Sequence, residues 1–152
     1  MKSILLVAAL ALTGPAVFAQ TTPAGNLTAD KKDNTLVVEL PQEGVAAWQR
    51  VAQVLTDRGY PFAHSDINLL VLTTAFNPIS STSSLSVSAV VRGHQLTLRG
   101  RSESVSVVGT QSQLTTVRRS TSLAGVSEGW QELEAIAREL GGTVRYSRLV
   151  VR

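Results

Sequence analysis

Residues 84–101 read SLSVSAVVRGHQLTLRGR. Leu85, Val87, Ala89 and Val91 alternate with Ser84, Ser86, Ser88 and Val90, the period of two that sorts side chains onto the two faces of a strand. Gly93-His94 then supplies a two-residue turn with glycine first, the type II′ pattern, in which the first central residue needs a positive φ. Pairing outward from that turn sets Arg92 opposite Gln95, Val91 opposite Leu96 and Ala89 opposite Leu98. The apolar residues of both strands then share one face. Ser88 falls opposite Arg99 and Ser86 opposite Arg101 on the other face. A hairpin apolar on one side needs a second layer to cover that side.

Two helical segments can supply the layer. From Gly44 to Arg58, Trp48, Val51, Ala52 and Leu55 share a face, while Gln49, Arg50, Gln53 and Asp57 point away. Gly59 is placed to end this helix in a left-handed conformation. In the second segment Trp130, Leu133, Ile136, Ala137 and Leu140 line one face. Ser127 is the expected N-cap, Glu128, Glu132 and Glu134 favour the positive end of the helix dipole, and Gly141-Gly142 closes the helix. WQRVAQVLTDRG (48–59) and WQELEAIARELG (130–141) keep the Trp, the Gln and the final Gly. Two amphipathic helices ended alike explain this likeness, and an internal duplication is the alternative.

Further strands are expected at Thr35–Leu40, stopped by Pro41, and at Leu114–Arg119 after a turn over Gly109–Ser112. Thr143–Val151 reads as a short strand or extended tail. The core of Ile67–Phe76 is nearly continuous in apolar residues, which predicts a strand buried on both faces or in a central position, ended by Asn77-Pro78 and the Ser/Thr run behind it. Val105 and Val107 are odd-numbered where Leu96 and Leu98 are even, so a bulge or break is expected between Gly100 and Ser104. The expected fold is two-layer α+β over residues 35–152. One antiparallel sheet carries two helices packed on one face, with Trp48 and Trp130 against it.

The first residues read MKSILLVAALALTGPAVFAQ: Lys2, an apolar run from Ile4 to Leu12, a Gly14-Pro15 break, then Val17 and Ala19 at −3 and −1 of a cleavage point. This is the pattern of a secretory signal peptide over residues 1–19. The run is shorter than the roughly 20 residues that a membrane-spanning helix needs. No later segment is apolar enough to span, so no transmembrane segment is expected after signal removal. No Cys is present, which excludes a lipid-bearing cysteine, disulfides and thiol chemistry. Residues 20–34 are polar, small and without periodicity, and are expected to form a flexible arm. The expected address is exported, periplasmic or extracellular.

His64, Ser65 and Asp66 are the residue types of a hydrolase triad, but neighbours along an extended segment alternate sides and cannot form a converging hydrogen-bonded line. They are read as part of the link between the first helix and the next strand. No G-x-S-x-G elbow or glycine-rich phosphate loop is present. Glu128, Glu132, Glu134 and Glu139 read as the solvent side of a helix. No catalytic residue, cofactor or metal site is therefore nominated. The alternative is a small secreted hydrolase or metal-dependent enzyme using His64, Asp66 and His94.

Arginine dominates the strands. Arg99 and Arg101 face away from the apolar hairpin face and could form a stripe with Arg118 or Arg119, the residue types that bind phosphate and carboxylate. A solvated strand face would use the same residues. No aromatic residue interleaves with these arginines, so nucleic acid is not an expected partner.

The order strand, helix, meander, helix, with a Trp opening each helix, resembles the α+β domains of bacterial envelope proteins. These include the repeated, TATA-binding-protein-like domains of the C subunit lipoprotein of the β-barrel assembly machinery. GWQELEAIARELGGTVRYS resembles the closing segment of small secreted bacterial proteins. The resemblance covers residues 35–149 and transfers no functional residue; the lipid-bearing cysteine of the named lipoprotein is missing. It implies a non-catalytic binding or assembly module of the bacterial cell envelope, acting through a sheet face or edge on another envelope protein or an anionic envelope component.

Overall fold

The computed structural model describes residues 25–105, 112–122 and 125–149. The expected signal segment lies outside the described residues, as do residues 109–111 of the expected turn. In chain order the elements are β1 (Thr35–Glu39), α1 (Gly44–Asp57), β2 (Phe62–Asp66), β3 (Val71–Thr74), β4 (Asn77–Pro78), β5 (Ser83–Arg92), β6 (Gln95–Val105), β7 (Ser112–Thr116), β8 (Thr121–Ser122), β9 (Gly125–Val126), α2 (Glu128–Leu140) and β10 (Thr143–Ser147). The main sheet is antiparallel and runs β10-β1-β6-β5-β3-β2, with β7 beside β6 and β4 beside β5. β8 and β9 pair separately. The fold is two-layer α+β, one open antiparallel sheet with both helices on one face.

The β5–β6 hairpin has the register that its alternation and turn dictate. Arg92 pairs with Gln95, Ala89 with Leu98, Ser88 with Arg99 and Ser86 with Arg101. Gly93 turns the chain at φ 58°, a value that favours glycine. The expected bulge is absent: the ladder continues unbroken to Ser83 opposite Ser104. After Leu98 the inward phase of β6 is carried by Gly100 and Ser102, not by a valine. A Cβ on Gly100 would lie 3.0 Å from Leu85 Cδ1, 3.0 Å from Val117 Cγ2 and 3.1 Å from Leu133 Cδ1. Neighbouring side chains already crowd the place its own would take.

The core lies between this face and the helices. Leu36, Val38, Leu85, Val87, Leu96 and Leu98 meet Val51, Val54 and Leu55 of α1 and Trp130, Leu133 and Ile136 of α2. Every residue that the helical period assigns to the inner face of α2 is buried. The Trp130 ring is wholly buried, its Nε1 donates to Glu134 Oε1 at 2.9 Å, and it lies 6.0 Å from the Tyr146 ring. Trp48 departs from the expectation. It is half-buried at the rim, with Nε1 3.4 Å from the Val71 carbonyl, while Ala47 and Val54 take the inner positions beside Val51 and Leu55. Ser127 precedes α2 but does not cap it through its side chain; its hydroxyl donates to the Arg118 carbonyl at 2.9 Å.

The helices are also tied through Glu132, half-buried rather than on the solvent side. Arg58 Nε and Nη2 donate to the two oxygens of Glu132 at 3.1 and 3.0 Å, and Nη1 donates to Glu139 at 2.9 Å. Burial by itself would lower the Arg58 value, but Glu132 and Glu139 together raise it. Tyr60 donates its hydroxyl to Glu132 at 3.3 Å. Burial, then the adjacent Glu132 charge, pushes the Tyr60 phenol well above its ordinary 10.0.

The region from Gly59 to Phe76 differs most from expectation. The expected linker contains β2, an edge strand paired with β3. The expected central strand starts with a turn instead: Asp66 Oδ1 accepts from the backbone N–H groups of Asn68 and Leu69 at 2.8 and 3.0 Å, an Asx turn, and Leu70 takes φ 53°. β3 is left with four residues, Leu72 and Thr74 buried and Val71 and Thr73 half-buried. Residues 25–34, read as part of an arm, run against the sheet. Asn26 exchanges both backbone hydrogen bonds with Tyr146 at 2.8 Å, and Asp33 and Asn34 are buried.

Candidate functional site

β1 and β7 pair with the same edge of β6, end to end. β1 takes Gln95–Leu98 and β7 takes Arg101–Val105, so Arg99 and Gly100 lie at the junction. The Val117 N–H donates to the Gly100 carbonyl at 2.9 Å, and the Arg119 N–H donates to the Asp33 carbonyl at 3.0 Å. The chain leaving β7 is thereby held beside the chain entering β1. Inward at this junction is the packed site over Gly100. Outward, on the helix-free face, is a groove of about 580 Å³ lined by Lys32, Arg99, Arg101, Arg118 and Arg148. Among the described residues lining it, none is Asp or Glu.

Alternation along β6 puts Arg99 and Arg101 on this face, and Ser88 and Thr116, their partners on β5 and β7, stand beside them. Arg99 is braced. Its Nε donates to Thr35 Oγ1 at 3.2 Å, and that hydroxyl donates to Asn34 Oδ1 at 2.9 Å. Asn34 Oδ1 also accepts from the Leu149 N–H, and its Nδ2 donates to the Leu149 carbonyl, both at 2.9 Å. One amide therefore clamps the segment after β10 and sets Arg148 at the groove wall. Such a chain of satisfied donors and acceptors holds its members in one arrangement.

Three of the four arginines singled out in the sequence, Arg99, Arg101 and Arg118, meet here. Arg119 does not; its Nη1 donates to the Ala29 carbonyl at 2.9 Å and pins the segment before β1. Lys32 and Arg148 were not foreseen at the site. Neither belongs to an alternating run, and both arrive through the Asn34 clamp and the path of residues 25–34. A second hollow, about 530 Å³, lies between the β5–β6–β7 end of the sheet and the start of α2. Its wall is mostly hydroxyl-bearing, with Glu128 set against Arg118, and it offers no charge excess.

The residues of the alternative enzymatic reading do not converge. His64 is exposed on edge strand β2, level with Thr73 and through it with Ser88. His94 sits in the β5–β6 turn, with Nε2 3.3 Å from Glu43 Oε2. Two strand spacings, about 10 Å, separate the two histidines across the sheet before their offset along it is counted. Asp66 is engaged in its turn. Among the described residues no group of three or more His, Cys, Asp or Glu could hold a metal ion, and no helix is long and apolar enough to cross a membrane. Edge strand β2 carries a register shift between Phe62 and His64, a device that blunts pairing with other chains.

No protein-family model matches this chain, and no curated protein matches it.

Proposed function

We propose that the protein is an exported, non-catalytic binding module of the bacterial cell envelope, with a TATA-binding-protein-like domain. It recognises an anionic envelope component, or an envelope protein that presents one, through the groove on the helix-free face. The observation that carries this reading is the charge of the groove: five cationic side chains and no carboxylate among the described lining residues. The mature chain has a net charge of only +2, so the concentration of cations at one junction is local. A cleft lined by one sign of charge focuses its field on a counter-charge. Arginine rather than lysine makes most of the wall, and arginine suits bidentate contacts to carboxylate and phosphate.

The test is retention of purified anionic envelope glycans and lipids on the immobilised protein. The wild type is expected to retain at least one class at low ionic strength and to release it as salt rises, because exposed charges are screened within about 10 Å at 0.1 M. The variant R99Q/R101Q/R118Q/R148Q is expected to retain none. Equal retention by wild type and variant would overturn the assignment of the groove.

A further inference from the structure

We infer that the groove takes a multiply charged, phosphate-bearing anion, with Arg99 as its anchored contact and Thr35 and Asn34 as positioning residues. The inference rests on the reading of the groove as an anion site and adds the class of anion.

Charge count comes first. A single carboxylate would leave most of the five cations in the groove uncompensated, whereas a ligand with several negative charges balances them at once. Direction is the second argument. Arg99 and Arg101 are two residues apart on one strand, about 7 Å between Cα atoms, and rise from the floor. Arg118 follows β7, and Lys32 and Arg148 come from the segments before β1 and after β10. Cations therefore surround the space from several sides. A phosphate group offers three acceptor oxygens in tetrahedral directions, so it can take donors from floor and walls together. A carboxylate offers two oxygens in one plane. Ser88 and Thr116 add neutral donors to the same lining.

Preorganisation is the third argument. Arg99 uses Nε on Thr35, and among the described residues its two terminal nitrogens meet no hydrogen-bond partner, which leaves them to a ligand. A side chain already held at one point loses less freedom on binding. Thr35 is 1% exposed, so its hydroxyl acts on the ligand only through Arg99. Asn34 acts only through Thr35 and through the Leu149 backbone beside Arg148.

The experiment is calorimetric titration of the full chain at neutral pH and low ionic strength with pyrophosphate, with citrate as a carboxylate of similar charge, and with phosphatidylcholine vesicles containing or lacking phosphatidic acid. Pyrophosphate, the phosphatidic acid vesicles or both are expected to bind at least tenfold more tightly than citrate. Free phosphate binding alone marks a soluble ligand, and preference for the vesicles marks a lipid headgroup. Whichever phosphate probe binds serves for the variants. R99Q and R99K are each expected to weaken it about tenfold or more, the latter because lysine keeps the charge but loses the paired donors. T35V is expected to weaken it similarly with T35S restoring it, and the unfolding temperature of each variant is recorded alongside. T35S failing to restore binding while folded like the wild type would overturn the positioning role.

Two failures are distinct. Citrate binding as tightly as the phosphate probes, with R99Q weakening all alike, overturns the phosphate class and leaves the anion groove standing. No probe distinguishing wild type from R99Q/R101Q/R118Q/R148Q overturns both.

Discussion

The two faces of β6 between Leu96 and Arg101 are built from alternate residues of one short run, yet they do opposite things. Inward, Leu96, Leu98 and the glycine at 100 meet the helices in a core that is tight around Gly100. Outward, Arg99 and Arg101 border an open groove with an excess of one charge. A substitution on the first face is expected to act on stability and one on the second on the proposed binding, because packed interiors resist volume changes while exposed positions tolerate them.

The largest effect on the covered side is expected from Trp130→Ala, about 3–5 kcal/mol lost by denaturant unfolding. Trp48→Ala should cost roughly half as much, since that ring is only half-buried. Equal losses would mean that the two helices contribute alike. Next comes Gly100→Val, expected to destabilise by about 1–3 kcal/mol through overpacking against Leu85, Val117 and Leu133. An unchanged denaturation midpoint would show that the inward site has slack.

A third expectation concerns pH. Because the folded state raises the Tyr60 value, its contribution is fully present below the ordinary 10.0 and is lost as pH rises past it, where the unfolded chain releases the proton first. Alkaline unfolding curves of the wild type should therefore steepen above that pH relative to Tyr60→Phe, and parallel curves would contradict it. The smallest effect belongs to the open side: Arg101→Gln should change stability by no more than about 0.5 kcal/mol while weakening anion binding. A large loss of stability there would erase the contrast between the faces.

Much of this contrast is legible in the sequence. A strict period of two and a glycine-led turn suffice for the hairpin register, and the helical period suffices for the inner face of α2. What was not legible has physical causes. Phe62–Asp66 lies at an edge, so little burial imprints alternation on it, and its polar letters read as a linker. Ile67, Leu69 and Leu70 are apolar yet the chain turns there, because the Asp66 side chain caps the backbone N–H groups of Asn68 and Leu69 and Leu70 accepts a left-handed φ. The phase change after Leu98 looked like a bulge because glycine leaves no apolar mark where neighbours fill its space. At the groove, alternation exposed Arg99 and Arg101. Lys32 and Arg148 depend on Asn34 grasping a backbone 115 residues away in sequence, a contact that no local pattern records.

Backbone amide chemical shifts of the folded chain, followed by NMR while a phosphate polymer is added, bear on the placement of function on the helix-free face. The account predicts the largest changes at Arg99, Gly100, Arg101, Arg118 and Arg148, with α1 and α2 unmoved. Changes centred on the helices or on Phe62–Asp66, with the groove silent, would contradict it.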